Sequence, residues 1–323
     1  MSRFLSGVQP SGQPHLGNYF GAIQQHIALQ DEGACYYFIA DYHALTSVND
    51  ADKMRECVRD VAATYLALGL DPERAVFWRQ SDVPEVTELT WLLASVTGMG
   101  LLERAHSYKD KTAKGIKPNV GLFLYPVLMA ADILAYDADF VPVGKDQVQH
   151  VEITQDMAGA FNALYGDGVL KRPEWKLSKT PRVVGLDGEK MSKSYGNDVW
   201  IFLDGKPLKK RIGKIPTDSR APDEPKEPEG LIFDWLKLLL PDEEYGDLAR
   251  RAQEGGENGP GYGELKKRIC ESIETRFGDA RVEYHRLLEH PAEIEAVLQD
   301  GATRAGKQAR EVRDRCYTAC GLR

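Results

Sequence analysis

The stretch Phe4-Leu5-Ser6-Gly7-Val8-Gln9-Pro10-Ser11-Gly12-Gln13-Pro14-His15-Leu16-Gly17-Asn18 decides the fold. Phe4 to Val8 reads as a short strand, and the periodic segment Tyr19 to Glu32 behind it reads as a helix. Gly7 and Gly12 supply backbone freedom to the loop between them. Gly17 lets a ligand approach the backbone where the helix starts, and the amides of that end face an anion. His15 brings a donor that can reach a phosphate oxygen, and Asn18 adds an amide. Read alone, the same residues also suit a plain strand-turn-helix with a surface histidine.

The pattern continues outward. Cys35 to Ala40 is an apolar strand. Asp52 to Leu68 is a helix with Met54, Val58, Val61, Tyr65 and Leu68 on one face. Ala75 to Trp78 is a third strand. The order β-α-β-α-β predicts a parallel sheet with right-handed crossovers and helices on both faces. Ligands of such sheets sit at the carboxyl ends of the strands, where the His15 loop lies. A helical insertion is predicted over Val86 to Leu134, with Pro126 at a helix start. Phe140 to Gly144 returns as a strand, Asp146 caps a helix to Tyr165, and Val183 to Leu186 is the last strand.

Composition changes near Lys214. Pro216, Pro222, Pro225 and Pro228, interleaved with acidic residues, read as a solvated linker. Gly255 to Gly261 is another break. Helices are expected at Leu231 to Leu240, Glu264 to Phe277, Glu283 to Leu288, Pro291 to Leu298 and Thr303 to Cys320. The fold class is therefore α/β: a Rossmann-like parallel-sheet domain over 1–198, with its insertion at about 86–134. An all-helical C-terminal domain follows over 199–323.

A hydrophobic content of 42% and a charged content of 28% over 323 residues are those of a globular protein large enough for a substantial core. No apolar run reaches the ~18 residues of a membrane span. Met1 to Ser6 has no signal-peptide pattern, so a cytoplasmic location is expected. Cys35, Cys57, Cys270, Cys316 and Cys320 are scattered without a CxxC, indicating neither zinc nor a disulfide framework. A net charge of −8 argues against non-specific coating of nucleic acid. Two local basic clusters stand out: Arg304, Lys307, Arg310, Arg313, Arg315 and Arg323 at the end, and Lys206, Lys209, Lys210, Arg211 and Lys214 earlier. Solvated helix faces and nucleic-acid contacts both fit them.

Three further segments carry chemistry. Lys190-Met191-Ser192-Lys193-Ser194 lies between Gly188 and Gly196, as a movable loop whose ammonium groups can neutralise a departing polyphosphate; two surface lysines on a solvated turn fit as well. Tyr125, Met129 and Asp132 are spaced i, i+4, i+7, so an aromatic, a polarizable and an anionic side chain share one helix face. An inward Asp needs a donor. An indole N–H is donor-only and its ring suits methionine; a neighbouring backbone N–H or Arg would satisfy Asp132 equally. In Val141-Pro142-Val143-Gly144-Lys145-Asp146-Gln147 a strand enters a helix, with Gly144 open to a ligand, Asp146 placed for a ribose hydroxyl or a cap, and Gln147 for an amino group.

Together these residues resemble the tryptophanyl-tRNA synthetases, within the class I aminoacyl-tRNA synthetases. His15-Leu16-Gly17-Asn18 is similar to the family's HIGH-type signature, and Lys190 to Ser194 reads as its KMSKS loop. Ser6 to Gly12, Asp41 to Thr46, Leu128 to Ile133, and Val141 to Gln147 with His150 and Glu152 also fit. The resemblance implies a tryptophan–tRNA ligase using ATP and Mg2+, with tRNA(Trp) and L-tryptophan as partners. It implies catalytic roles for His15, Lys190 and Lys193. Gln9, Pro10, Ser11, Gly17 and Asn18 would contact ATP, Gly144, Lys145, Asp146 and Val183 its adenosine part, and Lys190, Met191, Ser192, Lys193 and Ser194 its phosphates. Asp132 would accept from the indole N–H. Phe4, Gly7, His43, Tyr125, Met129, Val141, Val143 and Gln147 would line or neighbour the amino-acid pocket. The helical half would read the anticodon, and a homodimer would form through the insertion around Val86 to Gly121. Lys145 departs from the family pattern, which often has Glu there. No iron–sulfur cluster is expected, because the cysteines lack the spacing found in certain members.

Overall fold

The computed structural model describes residues 2–105, 119–177 and 183–322. Five strands form one parallel sheet in the order β3-β2-β1-β4-β5. They are β1 (Arg3–Val8), β2 (Ala34–Ile39), β3 (Ala75–Arg79), β4 (Phe140–Val143) and β5 (Glu174–Leu177). β1 pairs with β2 along its whole length, from Arg3↔Ala34 to Val8↔Ile39. β4 holds Pro142, which has no N–H for a ladder, and its pairing with β1 is confined to Phe4↔Phe140. The strand order reverses between β1 and β4, which opens a crevice beyond their carboxyl ends.

After β1 come one helical turn (Leu16–Asn18), a π-helical stretch (Tyr19–Ile23) and α1 (Gln24–Leu29). Then follow α2 (Asp41–Ala44), α3 (Ala51–Ala67), α4 (Glu85–Val96), α5 (Met99–Glu103), α6 (Val120–Leu134) and α7 (Val148–Tyr165). Asp50 caps α3 through the Lys53 amide at 2.7 Å, and the expected stripe is buried at Val58, Val61 and Tyr65. The later helices are α8 (Gly205–Ile212), α9 (Leu231–Leu239), α10 (Asp242–Glu254), α11 (Tyr262–Glu289) and α12 (Pro291–Ala319).

Several expectations are corrected. The last strand is β5, a short and mostly exposed edge strand, whereas Val184 makes only an isolated bridge to Lys190. Pro126 lies inside α6, which starts six residues earlier with Asn119 accepting from the Leu122 amide at 2.8 Å. A proline there forfeits one hydrogen bond to residue 122, a loss offset by an otherwise strongly apolar, buried helix. α7 has Gln147, not Asp146, at its N-cap, behind a 3-10 turn over Lys145–Gln147. The breaks expected within 264–288 and 291–320 are absent, since α11 and α12 run through them. The segment expected as a solvated linker is organised around Lys226. Its buried ammonium donates to the carbonyls of Ala221, Pro222 and Glu224 at 2.8–2.9 Å. Three carbonyls satisfy the three ammonium protons, which is what makes burying the charge tolerable.

The chain divides into two compact units: residues 1–13, 22–179 and 287–323, and residues 14–21 with 180–286. The boundary is not the one expected at 198, because α12 belongs with the sheet. It packs along the edge strand β3, where a Cβ at Gly301 would stand 1.9 Å from the Phe77 carbonyl oxygen. Ala305, Ala309, Val312 and Cys316 continue the buried stripe. Its arginines are spent within this unit. Arg304 donates to the Pro72 carbonyl, while Arg310 pairs with Glu85, Arg313 with Glu88 and Arg315 with Asp137. The terminal basic cluster is thus in large part a set of clamps between α12 and the sheet unit. Gly301→Val is expected to force α12 off β3, costing about 3 kcal/mol and lowering the melting temperature by roughly 6 °C or more. A thermal melt matching the parent would refute this packing role.

Candidate active site

In the sheet unit, the carboxyl ends of β1, β2, β3 and β4 and the end of α6 assemble one cluster. Asp132 is 1% exposed. Gln80, directly after β3, donates its amide to both Asp132 oxygens at 2.8 Å, and His43 Nε2 donates to Oδ2 at 2.8 Å. Oδ2 therefore accepts twice and Oδ1 once, so Oδ1 keeps an acceptor site. Burial pushes the Asp132 carboxyl above the usual range, against the His43 and Gln80 hydrogen bonds, which favour its ionised form. Gln80 is itself fixed: its carbonyl oxygen accepts from the Tyr42 amide, and Asp41 holds the same turn through the amides of Tyr42 and Ser81.

Around this carboxylate the walls are apolar. Met129 and Val143 are half-buried against the core that contains Leu5, Phe38 and Val141, and Gly7 lies against the Phe38 ring. Tyr125 places its hydroxyl 2.8 Å from His150 Nε2 and its ring edge-on to His43. His43 and Tyr125 also line a cleft of about 400 Å³ with Tyr42, Leu45, Leu124 and Leu128. Gln9 reaches the His43 carbonyl and Ser47 at 3.4 Å, Pro10 is buried and Ser11 exposed. Gly144 and Lys145 are exposed beyond β4, with Gln147 half-buried behind them. The side chain of Asp146 lies outside the described residues. Phe4 is the exception among the expected pocket residues. Strand alternation puts it on the face opposite Leu5 and Gly7, where it is buried against Phe140 and under Lys176.

The other unit gathers the two signature segments. His15 is an N-cap whose Nδ1 accepts from the Asn18 amide at 3.3 Å, while the Asn18 side chain accepts from the His15 amide at 2.9 Å. This capping box dictates the tautomer: with Nδ1 accepting, the proton sits on Nε2. Burial, and then the charge of Lys193, lower the His15 pKa to about 4, so the ring is a neutral donor at pH 7. The Gly17 amide faces the Met191 sulfur at 3.2 Å, and a Cβ at Gly17 would crowd His15 and Met191.

The lysine loop is anchored within this unit. Met191 is buried and its amide donates to the Val183 carbonyl at 3.1 Å. Asn197 accepts from the Ser192 amide and donates to Asp187 and the Lys190 carbonyl. Lys190 and Ser194 are exposed, Lys193 is half-exposed on a 3-10 turn, and Ser192 and Ser194 share a hydrogen bond of 2.8 Å. The loop is thus tethered at Met191 and Asn197 rather than merely flanked by glycines. Gln80 and Asn197 escaped sequence reading. Gln80 was signalled only by its place at the carboxyl end of a central strand, and Asn197 only by following the left-handed Gly196.

The arrangement offers a buried acceptor in an apolar, partly aromatic setting, and separately a neutral imidazole donor that feels the Lys193 ammonium, on a loop that also carries Lys190. The first suits a flat ring with an N–H, the second a polyphosphate. The family described as tRNA synthetases class I (W and Y) matches residues 1–281. Tryptophan--tRNA ligase of Campylobacter jejuni is 49% identical over 322 residues, covering 99% of this chain and all of that one. The protein of the same name from Rhodopirellula baltica is 48% identical over 322 residues, again 99% of this chain and all of the relative. Among solved structures, the Campylobacter jejuni tryptophanyl-tRNA synthetase complexed with ADP and tryptophan superposes with a TM-score of 0.92 at 48% identity, over 99% of each chain.

Proposed function

The chain belongs to the class I tRNA synthetases of the tryptophan and tyrosine group, and from that premise we infer that it is a tryptophan–tRNA ligase. The carboxylate of L-tryptophan attacks the α-phosphorus of ATP, pyrophosphate leaves, and a terminal ribose hydroxyl of tRNA(Trp) then attacks the adenylate carbonyl and releases AMP. Mg2+ enters on the phosphates as part of the nucleotide substrate. No covalent bond to the protein is needed, so the residues position and stabilise charge.

The observation that carries the tryptophan assignment is Asp132, a buried carboxylate on an apolar face with one acceptor site left at Oδ1. It accepts the indole N–H while Met129, Val141 and Val143 flank the ring. His15 donates from Nε2 to a phosphate oxygen, and Lys190 and Lys193 neutralise charge as pyrophosphate departs. Gln9 to Ser11, Gly17 and Asn18 contact ATP, and Gly144, Lys145, Asp146 and Val183 serve its nucleoside. Gly7, His43, Tyr125 and Gln147 border the amino acid. The helical unit reads unstacked anticodon bases. A homodimer forms through the insertion, a reading supported by the exposed Trp91, Met99 and Val120 there. The cytoplasm is the expected location, and no helix among the described residues is long and apolar enough to cross a membrane.

ATP–pyrophosphate exchange against all standard amino acids tests the assignment, followed by charging of total tRNA. Exchange should depend on tryptophan; exchange driven by tyrosine instead would reject it. Gln80 adds a sharper expectation. Gln80→Leu leaves Asp132 buried with His43 alone, so its carboxyl protonates more readily and turns less reliably toward the ring. The KM for tryptophan should rise about 10- to 100-fold, the worth of a charge-assisted hydrogen bond, with kcat moving far less. An unchanged KM would remove Gln80 from the site.

A further inference from the structure

The two basic clusters of this chain have opposite fates. On α12, Arg304, Arg310, Arg313 and Arg315 bond to groups of the sheet unit. On α8, Leu208 and Ile212 are fully buried, one turn apart, which turns Lys206, Lys209 and Lys210 outward. These three and Lys214 are exposed, and among the described residues none of the four has an ion-pair partner. The neighbouring charges are already engaged: Asp204 pairs with Arg281, Glu274 accepts from the Gly205 amide, and Lys267 faces Glu271. Lys266 of α11 donates to the Gly213 carbonyl, which seats the C-terminal end of α8 beside α11. Arg211, on the inner side, donates to the Gly196 and Asp198 carbonyls just past the lysine loop.

We propose that the outer face of α8, formed by Lys206, Lys209 and Lys210 with Lys214, is a docking surface for the sugar-phosphate backbone of tRNA. The inference rests on the reading of the chain as a tRNA-charging enzyme and names a surface through which that substrate is held. Four unpaired ammonium groups within nine residues, in a protein of net charge −8, form a local site for a polyanion on a molecule that otherwise repels one. Lysine suits the purpose, because it meets phosphates as a mobile point charge and reads no base.

The test is the variant with all four lysines changed to Gln, assayed twice. Pyrophosphate exchange does not involve tRNA and should stay within about twofold of the parent. The kcat/KM for tRNA should fall about tenfold or more near 0.1 M salt, and the slope of log affinity against log salt should flatten by about three, at roughly 0.7–0.9 per phosphate contact. The corresponding four Lys→Arg changes should restore both. An unchanged tRNA KM and salt slope would overturn the surface while leaving the enzyme's identity intact. A parent protein that shows no tryptophan-dependent exchange would instead overturn the underlying reading. If the fourfold variant loses exchange through misfolding, Lys206→Gln and Lys210→Gln decide singly, each expected to flatten the slope by about 0.8.

Discussion

Asp132→Ala is expected to lower kcat/KM for tryptophan activation by about a thousandfold. The substitution removes a charged acceptor from the indole N–H and also strands the Gln80 amide and the His43 Nε2–H, both of which point at it. A charge-assisted hydrogen bond is worth about 1.5–3 kcal/mol and an indole N–H buried without a partner costs about 1–3 kcal/mol, which together reach the ~4 kcal/mol that a thousandfold requires. Selectivity should fall with activity, because an analogue lacking the ring N–H no longer leaves a buried acceptor unmatched. Pyrophosphate exchange with tryptophan and with such an analogue checks both. Exchange at parental rates would sink the assignment. The pH dependence has a definite sign. Burial raises the Asp132 carboxyl, so on acidification it takes up its proton at a pH above the ordinary carboxylate range, and tryptophan affinity falls from there. The same shift means that the ionised group costs the fold stability above that range, a cost the two donors reduce.

Lys193→Ala is expected to depress kcat about 100- to 1000-fold while the KM for tryptophan changes less than threefold. Its partner, the charge growing on the leaving pyrophosphate, exists fully only late in the reaction, so the interaction is absent from the ground state. A loss confined to KM would contradict the role. The geometry supplies a second readout that does not depend on turnover. Lys193 is one reason the His15 ring sits near 4, so removing its charge should raise the imidazole pKa seen by NMR. The ring nevertheless stays mainly neutral at pH 7, because burial is the larger cause.

Much of this architecture was legible from residue patterns, for identifiable reasons. The first three strands and α3 carry strong local signals: β-branched and aromatic runs for the strands, and a 3.6-residue apolar stripe for the helix. The i, i+4, i+7 relation of Tyr125, Met129 and Asp132 survived even though Pro126 is interior to its helix, because a capped apolar helix absorbs the loss of one hydrogen bond. What could not be read depends on distant partners. Glu174 to Leu177 is only four residues, two of them charged, and gains its strand pairing from β4 beside it. The family resemblance implies that Phe4 borders the pocket, but strand parity sends it to the opposite face. Gln80 acquires meaning only when the fold brings β3 against the end of α6, 52 positions along the chain. Lys226 reads as one more charge in a solvated tract until its three carbonyl partners are located.

The seating of α12 on β3 has a consequence for how the protein is made. The sheet's outer strand emerges from the ribosome early, but the helix that covers it is made only after the whole 180–286 stretch. Vectorial folding, in which the amino-terminal half matures first, is therefore closed to this chain: its sheet half must wait, with an apolar edge uncovered, until α12 has been made. The intervening helical half has all but its first eight residues contiguous and suffers no such delay. The unit that buries Asp132 is thus the one most in need of protection while nascent.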